Sequence, residues 1–114
     1  MGYFDFYEGN DGTQDLLASI SDRSSRTINL KKGGFDNDEA RSVVLRNVRA
    51  GAKLVVWDNP DGKQDDDWCE IEVKRQVQEY IISSFERNIN DEFVKVTYHR
   101  DNGLDGKVSR IYIA

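Results

Sequence analysis

At 114 residues the chain suffices for one domain with one modest core. Its net charge of −5 weighs against nucleic acid or an anionic membrane as partner, because no basic face offsets phosphate repulsion. The single cysteine, Cys69, excludes an intrachain disulfide, and no apolar run approaches membrane-spanning length.

In chain order, Met1 to Phe6 lacks a basic region followed by an apolar core, so no signal peptide is expected. The default expectation is a cytoplasmic protein, and a mature secreted chain without its leader would read the same. Tyr3 to Tyr7 reads as a strand of alternating aromatics, and Gly9 to Gly12 as a turn. Thr13 to Ile20 reads as a second strand, although Leu16-Leu17-Ala18 also tolerates a helical turn. Arg26 to Leu30 is a third strand, with Ile28 and Leu30 assigned to the core. Gly33-Gly34 and Phe35 to Glu39 form a polar turn region. Ser42 to Val48 is a fourth strand, and Arg49 to Ala52 connects the two halves without linker composition.

The second half repeats this order. Lys53 to Trp57 is a strand, Asp58 to Gln64 a turn, and Trp68 to Lys74 a strand. Tyr7 to Asp15 aligns without a gap on Trp57 to Asp65, fifty residues on, with aromatic, acidic, Asp-Gly, Gln and Asp recurring in place. Such self-similarity indicates two copies of one supersecondary unit. Val77 to Phe85 is a strand, Asn88 to Asp91 a turn, and Phe93 to His99 a strand with Val94, Val96 and Tyr98 on one side. Arg100 to Gly106 is a turn. Val108 to Ile113 closes the chain, with Ile111 and Ile113 together and Val108, Arg110 and Tyr112 opposite. Short strands between polar turns predict an all-β sandwich or barrel.

Few residues offer catalytic chemistry. His99 is the only histidine; Asp101 or Asp105 could orient it, but no serine or cysteine sits in a recognisable elbow. Cys69 alternates with Ile71 and Val73 and is assigned to the core. Asp58 to Gly62 fails as an EF-hand, since Pro60 takes a ligand position. Trp68 follows Asp65, Asp66 and Asp67 and shares a strand face with Glu70 and Glu72. These four residues, Asp65 to Trp68, are a candidate surface for a basic protein partner, and Trp68 alternatively a platform for a sugar.

One ordered set of features resembles a known family. After Gly33-Gly34 comes Asn37-Asp38-Glu39-Ala40-Arg41-Ser42, then an apolar strand, a short connector through Gly51 and the hairpin at Trp57. This resembles the βγ-crystallin superfamily. Its Greek-key motifs open on an aromatic, acidic hairpin and close on a calcium signature of two Asn/Asp, two variable residues, Ser/Thr and Ser. The resemblance implies a Greek-key β-sandwich of two motifs, about residues 1–50 and 51–114. It implies calcium held near Glu8, Asn37, Asp38 and Ser42 in one half, and near Asp58, Asp105 and Ser109 in the other. Arg41 stands where the family has Ser or Thr. The second signature has two registers. One starts at Asn90, which spacing favours and which leaves an added C-terminal hairpin. The other starts at Asp105, which the hydroxyl of Ser109 favours and which requires an insertion.

The resulting expectation is a non-catalytic binding or structural module stabilised by calcium, a monomer or weak dimer. An inhibitor or immunity-type interaction protein and a carbohydrate-binding module are the alternatives.

Overall fold

Residues 2–23, 25–29, 40–58, 67–99 and 108–114 are described by a computed structural model. Among them the strands are β1 (Tyr3–Tyr7), β2 (Leu16–Ser21), β3 (Arg26–Asn29), β4 (Ser42–Arg46) and β5 (Lys53–Trp57). The remainder are β6 (Trp68–Val73), β7 (Tyr80–Ile82), β8 (Ile89–Asn90), β9 (Val94–His99) and β10 (Arg110–Ile113). Among the described residues one 3-10 turn spans Asn10–Gly12. No helix among the described residues is long and apolar enough to cross a membrane.

Side-chain alternation fixes the faces of most strands, because successive Cβ atoms point to opposite sides of a sheet. In β6, Cys69, Ile71 and Val73 point inward and Trp68, Glu70 and Glu72 outward. In β1, Phe4 and Phe6 are fully buried while Tyr3 is exposed. The strands form two antiparallel sheets, β2-β1-β4-β7 and β3-β10-β5-β6-β9-β8. Their inner faces share one core, with Phe4, Phe6 and Leu45 from the first sheet and Leu54, Ile71 and Ile111 from the second. Full burial of such a side chain contributes about 1.5–3 kcal/mol relative to exposure.

The two halves are built alike and interlocked. β4 returns to lie beside β1, and β10 returns to lie beside β5. The third strand of each half crosses to the other sheet: β3 pairs with β10, and β7 pairs with β4. Each sheet therefore draws strands from both halves, and neither half can keep its core without the other. β8 and β9 are an inserted hairpin that extends the larger sheet beyond β6.

β10, not the strand after Asn90, holds beside β5 the position that β4 holds beside β1. Asn90 instead lies in the inserted hairpin, in a segment read from the sequence as a turn. That hairpin is tied to the smaller sheet, since the Tyr80 hydroxyl donates to Asp91 Oδ2 at 2.5 Å. Asp91 Oδ1 accepts the main-chain amides of Phe93 and Val94 at 2.8 and 2.9 Å.

Other expectations shift at strand ends. The strand predicted from Val77 to Phe85 narrows to Tyr80–Ile82, and Phe85 leaves the sheet to pack in the core, 6.5 Å from the Phe6 ring. The second strand starts at Leu16, as a strand rather than a helical turn, after the 3-10 turn and a left-handed Gln14. Val108, expected to face outward with Arg110 and Tyr112, is fully buried. It precedes β10, where strand alternation does not yet apply. Leu30 and the predicted turn at Gly33 to Glu39 lie outside the described residues.

Candidate functional site

The two hairpins close in the same way. The Glu8 amide donates to the Asp15 carbonyl at 2.9 Å, and the Asp58 amide to the Asp67 carbonyl at 3.0 Å. Asp67, rather than Asp65 of the ungapped alignment, therefore stands in the place of Asp15. The closing segments meet these hairpins equivalently. The Arg41 amide donates to the Tyr7 carbonyl at 3.0 Å, and the Ser109 amide to the Trp57 carbonyl at 2.8 Å.

This pairing shows where two of the expected calcium positions, Ser42 and Ser109, stand in the fold. In the first half, Ser42 is buried and its hydroxyl donates to the Gly9 carbonyl at 2.6 Å. The same oxygen accepts the Gly12 amide at 3.0 Å. Ser42 thus braces its hairpin, and the position aligned with Ser109 carries the cationic Arg41. That donor set does not suit a cation that requires oxygen ligands. In the second half, the buried Ser109 bonds through its main-chain amide to Trp57, the residue before the hairpin residue Asp58. Asn37, Asp38 and Asp105 lie outside the described residues. Among the described residues no three His, Cys, Asp or Glu side chains gather as a metal centre.

The expected acidic partner surface is altered at one of its members. Asp65 and Asp66 lie outside the described residues. Asp67 is fully buried, and its Oδ2 accepts the Tyr98 hydroxyl. It therefore presents no carboxylate to a basic partner. Trp68 is half-buried and faces outward, as its alternation with Cys69 requires.

A second constellation lies on the outer face of the larger sheet. Register aligns Arg110, Trp57, Trp68 and His99 in one row across β10, β5, β6 and β9. The Arg110 guanidinium lies 5.5 Å from the Trp57 ring centroid, within the range of a cation–π contact. The Trp68 and His99 rings stack at 5.5 Å with 14° between their planes. The next row holds Thr27, Tyr112, Val55, Glu70 and Thr97. Beyond it, Lys53 Nζ stands 3.6 Å from Glu70 and 3.9 Å from Glu72. All of these side chains except His99, Thr97 and Glu72 line an open groove of about 460 Å³ between the Trp row and Lys53.

The sequence singled out Trp68 but missed Trp57, Arg110 and Tyr112 as its neighbours. Alternation gave Trp68, Arg110 and Tyr112 their face. Only the strand pairing brings those faces side by side. No family model, curated protein or solved structure matches this chain.

Proposed function

We propose that the protein is a non-catalytic binding module of two interlocked Greek keys, similar to the βγ-crystallin superfamily, stabilised by calcium at its second hairpin. The observation that carries this reading is the paired closing contact. Arg41 on Tyr7 and Ser109 on Trp57 make the same main-chain bond, each one residue before a strand that returns beside the first strand of its own half. A fourth strand lying beside the first is the defining connection of a Greek key. Two such units joined through exchanged third strands support that reading.

The two cradles differ in chemistry, so the reading assigns one calcium ion rather than two. Ser109 would supply a hydroxyl oxygen, Asp58 its main-chain carbonyl and Asp105 a carboxylate. The ion itself would offset repulsion among the acidic turns. Of the residues that catalysis could have used, Cys69 is fully buried and His99 is stacked on Trp68.

Binding to the folded state alone raises stability by mass action. Calorimetric titration should show one calcium per chain, and millimolar calcium should raise the melting temperature while chelator lowers it. Ser109→Ala should diminish both responses. Melting curves that coincide in calcium and chelator refute the metal and leave the architecture standing.

A further inference from the structure

We propose that the outer groove of the six-stranded sheet is a binding site for a neutral oligosaccharide, independent of the calcium position. The floor and one wall are aromatic and apolar: Trp57 and Trp68 side by side, then Tyr112 and Val55. None of the three aromatics belongs to the core cluster or to the side chains packed against it. They stand on the solvent side of the sheet, half-buried, so folding of the core does not account for their clustering. Rings in such a position offer flat apolar faces, the complement of the C–H face of a pyranose, with polar tips for its hydroxyls.

The groove's polar groups suit the same ligand. Thr27 and Tyr112 bring hydroxyls, Lys53 an ammonium donor, and Glu70 a carboxylate acceptor. The indole Nε1 of Trp57 is buried and has no acceptor among the described residues. A few donors and acceptors around an apolar floor is the general pattern of a small-ligand site, and about 460 Å³ falls within the usual range of volumes.

Charge decides between neutral and anionic ligands. Lys53 lies between Glu70 and Glu72, and Arg110 is placed over Trp57. The two cations, Lys53 and Arg110, are thus matched in number by the carboxylates of Glu70 and Glu72, on a chain whose net charge is −5. A polyanion, whether nucleic acid or sulfated glycan, gains no net attraction there. A polyhydroxylated neutral ligand exchanges hydrogen bonds with both signs of charge and needs no counter-charge.

The test is affinity electrophoresis of the intact chain through gels containing soluble neutral polysaccharides: β-glucan, xylan, mannan and α-glucan in separate lanes. Heparin and a single-stranded oligonucleotide serve as anionic arms. Hits are followed by calorimetry with the matching hexasaccharide. Retardation by at least one neutral polysaccharide is expected, with about tenfold weaker binding in Trp68→Ala, the loss of roughly one aromatic contact. Glu70→Gln keeps shape and removes a charged acceptor, and it too should weaken binding while the melting curve shows a folded chain. Absence of retardation in every neutral lane overturns the proposal. So does binding confined to the anionic arms, or undiminished binding by folded Trp68→Ala and Glu70→Gln.

Discussion

Ser42 and Arg110 stand at equivalent places, Ser42 opposite Tyr7 in β4 and Arg110 opposite Trp57 in β10. The serine side chain braces the turn of its hairpin, whereas the arginine lies over the face of the aromatic that opens its own. The two halves thus make the same main-chain contacts and use their side chains differently. The first half retains the brace, and the second contributes to a groove.

Ser42→Ala removes both bonds from a buried site and leaves the Gly9 carbonyl and Gly12 amide without that partner. The expected cost is about 1–3 kcal/mol, the penalty for buried polar groups losing a partner. It is read as a lower denaturation midpoint with an unchanged slope in urea.

Gly12→Ala should destabilise as well, for two separate reasons. Gly12 has φ +67°, a left-handed conformation that disfavours a side chain. The added Cβ would also lie 2.8 Å from Val44 Cγ2, in the strand beside β1. A loss of about 1–2 kcal/mol is expected, measured by the same denaturation.

Phe85→Ala tests the crossing of the second half into the smaller sheet. The ring is fully buried and neighbours Phe6 across the fold. A loss of about 3–5 kcal/mol is expected for an aromatic deleted from a core. Because the halves share that core, calorimetry should still show one transition rather than two.

The inserted hairpin gives a pH dependence with a definite sign. Asp91 is held below the ordinary carboxylate range, first by the Tyr80 hydroxyl and then by the Val94 amide. A depressed carboxyl stabilises the fold above its unfolded value and loses that contribution as pH falls through the folded value. Tyr80 is pushed up to about 12, by burial first and by Asp91 second. Its contribution is complete below the unfolded value of 10.0 and is lost as pH rises toward about 12. Asp91→Asn should therefore lie below wild type in stability at neutral pH and converge with it in strong acid. Tyr80→Phe should remove the part of the alkaline loss that begins near pH 10. Denaturation midpoints across pH measure both; a gap between Asp91→Asn and wild type that persists undiminished in strong acid contradicts the first assignment.

Much of the framework was legible in the residues alone. Alternation in Trp68–Val73 and in Ile111 and Ile113 assigned inner and outer faces, because a strand has period two whatever it pairs with. The repeat of Tyr7 at Trp57 announced two like units. Strand pairing was not legible, because it is non-local and each strand alone is compatible with several neighbours. Tertiary structure decided that β3 and β7 change sheets, that β8 and β9 are inserted, and that β10 closes the second half. It also turned Asp67 inward to Tyr98, and set Arg110, Trp57, Trp68 and His99 in one row. The sequence by itself determined, by strand alternation, the face of Trp68, Arg110 and His99 but not that of Asp67. Their company came from hydrogen-bond registers between strands distant in the chain, which local residue order does not encode.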